Sequence, residues 1–135
     1  MTRATGEIPI GPRIWIVNEA HWPRAYLRAE LIERGYDAVG FETLGDVVLM
    51  LALARAPRPT LLILDLRGQQ LDDSRRAALL REGIPILAVV GAARSEDDLP
   101  QPPVTVLRRP LTIGAIADAA ERIAGRPTST PVSRR

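Results

Sequence analysis

This 135-residue chain has no Cys and a single His, His21, and all 18 of its basic residues are Arg. Disulfides, thiolate metal sites and thiol nucleophiles are therefore excluded. One imidazole leaves little room for a His-rich zinc site or a Ser-His-Asp triad. The chemistry left is that of carboxylates, amides, hydroxyls and guanidiniums. The residues of interest are those that follow short apolar runs. Asn18 and Glu19 follow RIWIV, Asp65 follows TLLIL, and Arg109 with Pro110 follows VTVL and Arg108. A carboxylate pair facing a cation on one rim is a candidate site. Polar residues also gather at strand ends for no chemical reason, so the elements that carry them must be weighed.

Those elements are readable. Apolar, β-branched runs occur at 13–17, 37–41, 60–64, 84–90 and 104–107. The third and fourth are apolar at successive positions, which predicts strands buried on both faces, as in a parallel sheet. Helices are expected between them. Residues 21–34 have Pro23 in the first turn, Tyr26, Leu27, Leu31 and Ile32 as an inward stripe, and a stop at Gly35. Residues 43–55 open on Thr43 with Asp46 three residues on, and end before Pro57. Residues 73–81 carry Ala77 and Leu80, with Gly83 as the stop. Residues 111–124 have Thr112 as cap, Ile113, Ile116, Ala117, Ala120 and Ile123 as the inward face, and Gly125 as the stop. The fourth crossover, 91–103, holds three Pro and the acidic triplet Glu96, Asp97 and Asp98, and leaves space for a turn of helix at most.

The reading is an α/β, flavodoxin-like, doubly wound sheet of five parallel strands in the order 2-1-3-4-5, with a shortened fourth helix. It spans 13–125, flanked by tails at 1–12 and 126–135. Ligands of such sheets gather at the carboxyl ends of the strands, where strand order reverses. That rim receives Asn18, Glu19, Asp65, Val90 and Arg109.

Composition narrows the partners. The isoelectric point near 9.9 raises nucleic acid and acidic membranes. However, 14 of the Arg and 15 of the 16 acidic residues lie within 13–125, so the body is slightly negative and the basic excess sits in the tails. With only 4% aromatic residues, a base-stacking surface is not expected. The longest apolar run, 47–54, is too short to span a bilayer, and residues 1–12 have no apolar targeting core. The expectation is a cytoplasmic protein that binds neither nucleic acid nor membrane.

The segments PTLLILDL around Asp65, VLRRPL around Arg109-Pro110 and IPIL at 84–87, with the element order, resemble the receiver domain of bacterial two-component response regulators. The resemblance covers about 13–125. It implies a phospho-acceptor at Asp65, a Mg²⁺ site with Glu19 and Asp65 as ligands, and contacts to phosphoryl oxygens from the Val90 and Arg109 positions. It also implies a histidine kinase or an output protein as partner. Several positions depart from the family. Asn18 stands where an acidic residue is usual, Val90 replaces a hydroxyl, Arg109 replaces lysine, Val106 replaces the switch aromatic, and Gly68-Gln69 replace Met-Pro. Asn18 is neutral and Glu19 is a methylene longer than Asp, so Mg²⁺ binding is expected to be weak or absent. Val90 cannot donate a hydrogen bond. Arg109 offers a planar fork instead of a point charge, and its simplest role is an ion pair that neutralises Asp65.

The leading expectation is therefore an atypical receiver-like signalling domain, not an enzyme, acting mainly through protein–protein contacts. The alternatives are a divergent receiver phosphorylated on Asp65 with Mg²⁺, and a small-ligand-binding domain using the same rim. The Glu19-x-His21 spacing is similar to part of the cobalamin-binding motif, but Arg24 stands where that motif has glycine. Asn18 is expected to cap the first helix. Candidate partner-facing residues are Trp22, at the entry of the first helix, Met50, in the nearly all-apolar second helix, and Val106. A homodimer is one expected use of such a face.

Overall fold

A computed structural model describes residues 11–53, 57–65, 73–91 and 104–127. The expected tails, the fourth crossover with its acidic triplet, and Gly68-Gln69 lie outside the described residues, apart from a few positions at their borders. The elements are β1 (Arg13–Val17), α1 (His21–Glu33), β2 (Asp37–Phe41), α2 (Leu44–Leu53), β3 (Leu61–Asp65), α3 (Asp73–Glu82), β4 (Ile86–Val90), β5 (Val104–Arg108) and α4 (Ile113–Ala124). All strand pairs are parallel, and the order is β2-β1-β3-β4-β5, the order expected of the flavodoxin-like reading. Boundaries differ from the sequence reading by one to a few residues. One shift matters for the site: β3 runs one residue further, so Asp65 is the last residue of the strand itself.

Every residue of β3 and β4 is buried, because helices cover both faces of the sheet. Side chains alternate across a strand, and the core divides accordingly. Ile14, Ile16, Leu61, Ile63, Leu87 and Val89 face α1 and α4, meeting Leu27, Leu31, Ile116, Ala117 and Ala120. Trp15, Val17, Leu62, Leu64, Ile86, Ala88 and Val90 face α2 and α3, meeting Leu44, Val47 and Leu79.

Two inward stripes are narrower than, or different from, those read from sequence. In α1 only Leu27 and Leu31 are buried, while Tyr26 and Ile32 are exposed. Leu27 and Leu31 are one turn apart, and a neighbour in sequence is rotated by about 100°, enough to carry Tyr26 and Ile32 out to opposite sides of the seam. In α3, Leu79 is the buried residue and Ala77 is exposed; the Leu80 side chain is outside the described residues.

The ends of α1 and α4 are fastened to each other. Arg34 bonds Glu30 at 2.8 Å, Asp118 at 2.8 Å and Glu121 at 3.3 Å, and Asp118 with Glu30 holds the guanidinium firmly charged. Gly35 adopts φ +99°, the left-handed region where a side chain is strained, and its carbonyl accepts from Gly11 N at 3.1 Å. Thr112 Oγ1 accepts from Ala115 N at 3.0 Å and caps α4 as expected. The Tyr36 hydroxyl donates to Gly125 O at 2.6 Å.

Burial pushes the Tyr36 pKa up from its ordinary 10.0, with Glu121 acting in the same direction. Ionising Tyr36 is thus harder in the folded chain than in the unfolded one. Its contribution to stability is intact below pH 10.0 and is lost as pH rises through the higher folded-state value. Tyr36→Phe is expected to cost about 1 kcal/mol near neutrality, for the lost hydrogen bond. It should also flatten the alkaline fall in stability, which urea melts at neutral and strongly alkaline pH will reveal.

Candidate functional site

The carboxyl ends of β1, β3 and β5 bring Asn18, Asp65 and Arg109 together. Asp65 is the one buried charged residue among those described, 7% exposed. Its Oδ2 accepts from Asn18 Nδ2 at 3.0 Å and from Arg109 Nη2 in a close ion pair. Buried charge is tolerated when paired and hydrogen-bonded, and here the pairing comes from two other strand ends.

Each partner is itself fixed. Asn18 N donates to Phe41 O at 3.1 Å. Its Oδ1 accepts from Ala20 N at 2.9 Å, so the amide must turn Nδ2 toward Asp65. Arg24 Nη1 donates to Asn18 O at 2.6 Å. Asn18 does not cap α1, because the N-cap position falls on Ala20. The Asn18 side chain instead forms a turn one step earlier in the chain. Arg109 N donates to Val90 O at 2.9 Å, tying the loop after β5 to the end of β4. The Arg109–Pro110 peptide is cis.

The remaining rim residues stand apart from this cluster. Glu19 is exposed. Val90 is fully buried in the core on the α2/α3 side, with Val17 and Leu64. The donor set around Asp65 is that of an ion pair. Two N–H donors occupy Oδ2, and a guanidinium already supplies the positive charge beside the carboxylate. Mg²⁺, which takes oxygen ligands in a tight octahedron, does not fit this arrangement. No group of three or more acidic or His residues able to hold a metal occurs among the described residues.

No family model and no curated protein matches the sequence. Solved structures do match. A response regulator receiver protein from Pseudomonas putida is 24% identical, with 85% of this chain and 99% of that one covered, at a TM-score of 0.68. A response regulator receiver protein from Sinorhizobium medicae is 18% identical, covering 84% and 94%, at 0.69. The chain has the receiver-domain fold. At these identities the likeness shows the fold and no more. The same fold also matches 18% of the Francisella novicida lysine decarboxylase LdcF, at 13% identity and a TM-score of 0.59. A receiver fold therefore does not by itself assign a role.

On this receiver fold the expected partner-facing residues separate. Trp22 is 63% exposed and stacks on Tyr26, 59% exposed, at 5.8 Å between ring centroids. The His21 and Trp22 rings meet in a T-shaped arrangement with centroids 4.8 Å apart. Met50 is half-buried against the core, and the outward apolar residues of α2 are Leu49 and Leu53. Val106 likewise packs against the core. Two features were missed in the sequence. One is the reach of Arg24 back to Asn18, which a helix-period count from residue 20 would have suggested. The other is a cavity under Asp65, between α1 and α4.

Proposed function

We propose that this protein is an atypical receiver-like signalling domain that acts mainly through protein–protein contacts and is not an enzyme. The observation that carries the reading is the Asp65 ion pair. The carboxylate that a receiver would phosphorylate is engaged by Arg109 and Asn18, while Glu19, the implied metal ligand, is exposed. Phosphoryl transfer to Asp65 would have to proceed on a carboxylate already neutralised by Arg109 and with a metal cation recruited without Glu19 in place. The exposed aromatic pair Trp22–Tyr26 supports a contact role, since exposed Trp is enriched where binding energy concentrates. Among the described residues no helix is long and apolar enough to cross a membrane, consistent with a cytoplasmic setting in a bacterial signal-transduction pathway. The partner is a protein, such as an output protein, a histidine kinase or a second copy of this chain.

The second reading, a divergent receiver phosphorylated on Asp65, draws support from Asp65 standing at the carboxyl end of β3 beside a cation. Titration with Mg²⁺ and beryllofluoride, followed by backbone amide shifts, separates the two. The proposed function expects a flat response at millimolar Mg²⁺. Saturable shifts at Glu19, Asp65 and Arg109 would overturn it in favour of a phosphorylated receiver.

A further inference from the structure

Beneath the Asp65 ion pair lies a cavity of about 220 Å³. Its walls are the apolar side chains of α1 and α4, among them Leu27, Ile113 and Ile116, together with Ile63 and Val89 of the sheet. Its polar end is made by Asn18, Asp65 and Arg109. An apolar cavity of about 150 Å³ accepts benzene, and drug-sized ligands need about 300 Å³ or more. This cavity falls between the two.

A second observation concerns its polar end. Arg109 has two terminal nitrogens. Nη2 is spent on Asp65, whereas Nη1 is buried and has no hydrogen-bond partner among the described residues. An unmet buried donor is costly, and more so when it is part of a charged group. The carboxylate and the guanidinium already cancel, so a charged ligand head would restore an imbalance. A neutral acceptor would not.

We propose that this cavity binds a small, mainly apolar molecule carrying one neutral hydrogen-bond acceptor, a carbonyl compound of about benzene's width. The carbonyl oxygen accepts from Arg109 Nη1, and the apolar body packs among Leu27, Ile63, Val89 and Ile116. Such a site goes beyond the signalling role proposed above. It needs neither phosphorylation of Asp65 nor a protein partner, and it would give the domain an input of its own.

The test uses a matched pair of probes on the full chain, acetophenone and ethylbenzene, which share a skeleton and differ in the oxygen. Backbone amide spectra report where each binds. The expected result is a saturable response to acetophenone at Asn18, Leu27, Val89 and Ile116, with a Kd on the order of a millimolar for so small a ligand. Ethylbenzene should bind the same residues about tenfold more weakly, for want of a hydrogen bond to a charged donor. Arg109→Met should erase that preference, and Ile113→Trp, at a half-buried position of the wall, should block both probes. Equal binding of the two probes to the wild-type chain would overturn the proposal, whatever the variants do. So would shifts confined to Trp22 and Tyr26, or no saturable response in the tens of millimolar. None of these outcomes depends on the Mg²⁺ and beryllofluoride titration, so the two readings fail separately.

Discussion

Arg109→Met is expected to destabilise the fold by about 3 kcal/mol, the low end for breaking a buried ion pair by removing one partner. The low end applies because the Arg109 side chain is 23% exposed while that of Asp65 is 9% exposed. Water reaches the cation more readily than the carboxylate. Without Arg109, Asp65 loses its cationic partner while the Asn18 amide stays on Oδ2, and a carboxylate at this depth without a counter-charge is poorly compensated. The double variant Asp65→Leu/Arg109→Met should recover most of the loss, because replacing both charges with apolar groups of similar volume removes the desolvation cost together with the attraction. Urea denaturation of the wild type, both single variants and the double variant gives the coupling directly. If Arg109→Met instead stays within about 0.5 kcal/mol of wild type, the range of an ordinary surface change, the pair is not structural. Asp65 would then be available for chemistry, and the proposed function would lose its main support.

That pair was legible in the sequence because it follows from fold and charge together. Once the runs at 60–64 and 84–90 are read as strands buried on both faces, a doubly wound parallel sheet follows, and the flavodoxin-like order brings the ends of β1, β3 and β5 onto one rim. Asp65, Asn18 and Arg109 then have few other places to be. What the sequence hid was side-chain direction within helices and space between them. Residues 47–54 are all apolar, so α2 has no polar stripe to mark its outer side. Met50 and Leu49 are indistinguishable until the helix is seated, when Met50 turns half inward and Leu49 and Leu53 turn out. The Val106 position faces the same difficulty on the last strand. The cavity under Asp65 depends on how far apart α1 and α4 sit, set by packing among small residues such as Ala117 and Ala120, and no pattern of residue types records a distance. Asp65 is paired with Asn18 and Arg109 instead of lying beside Glu19, and the reason is local. The amide of Asn18, oriented by Ala20, offers Asp65 a donor where an acidic residue would have offered a metal a ligand.

Leu31→Ala is expected to cost about 3–4 kcal/mol, within the range for emptying a large aliphatic position in a core, while Ile32→Ala should change stability by no more than about 0.5 kcal/mol. The two residues are neighbours of similar volume, and the sequence assigns both to one inward stripe. Leu31 is fully buried in the α1/α4 side of the core, among Leu27, Ile14, Ile16 and the alanines of α4. Those alanines cannot extend into a hole left by the missing side chain, and β1 and β3 behind it are held by pairing on both sides. The site therefore has little means of collapsing, which keeps the cost above the low end of the range. Ile32 is 46% exposed, so truncation removes side chain that water already reaches, and Ala is the better helix former. The contrast also bears on the cavity, because Leu31 lies one turn beyond Leu27 on the same helix face. A hole at Leu31 would loosen the wall that Leu27 provides, so Leu31→Ala should weaken acetophenone binding, whereas Ile32→Ala should leave it unchanged. Paired urea melts and probe titrations of the two variants check both halves. Equal destabilisation by the two would mean that α1 is rotated about its axis relative to the packing described, and that the cavity wall is misassigned with it.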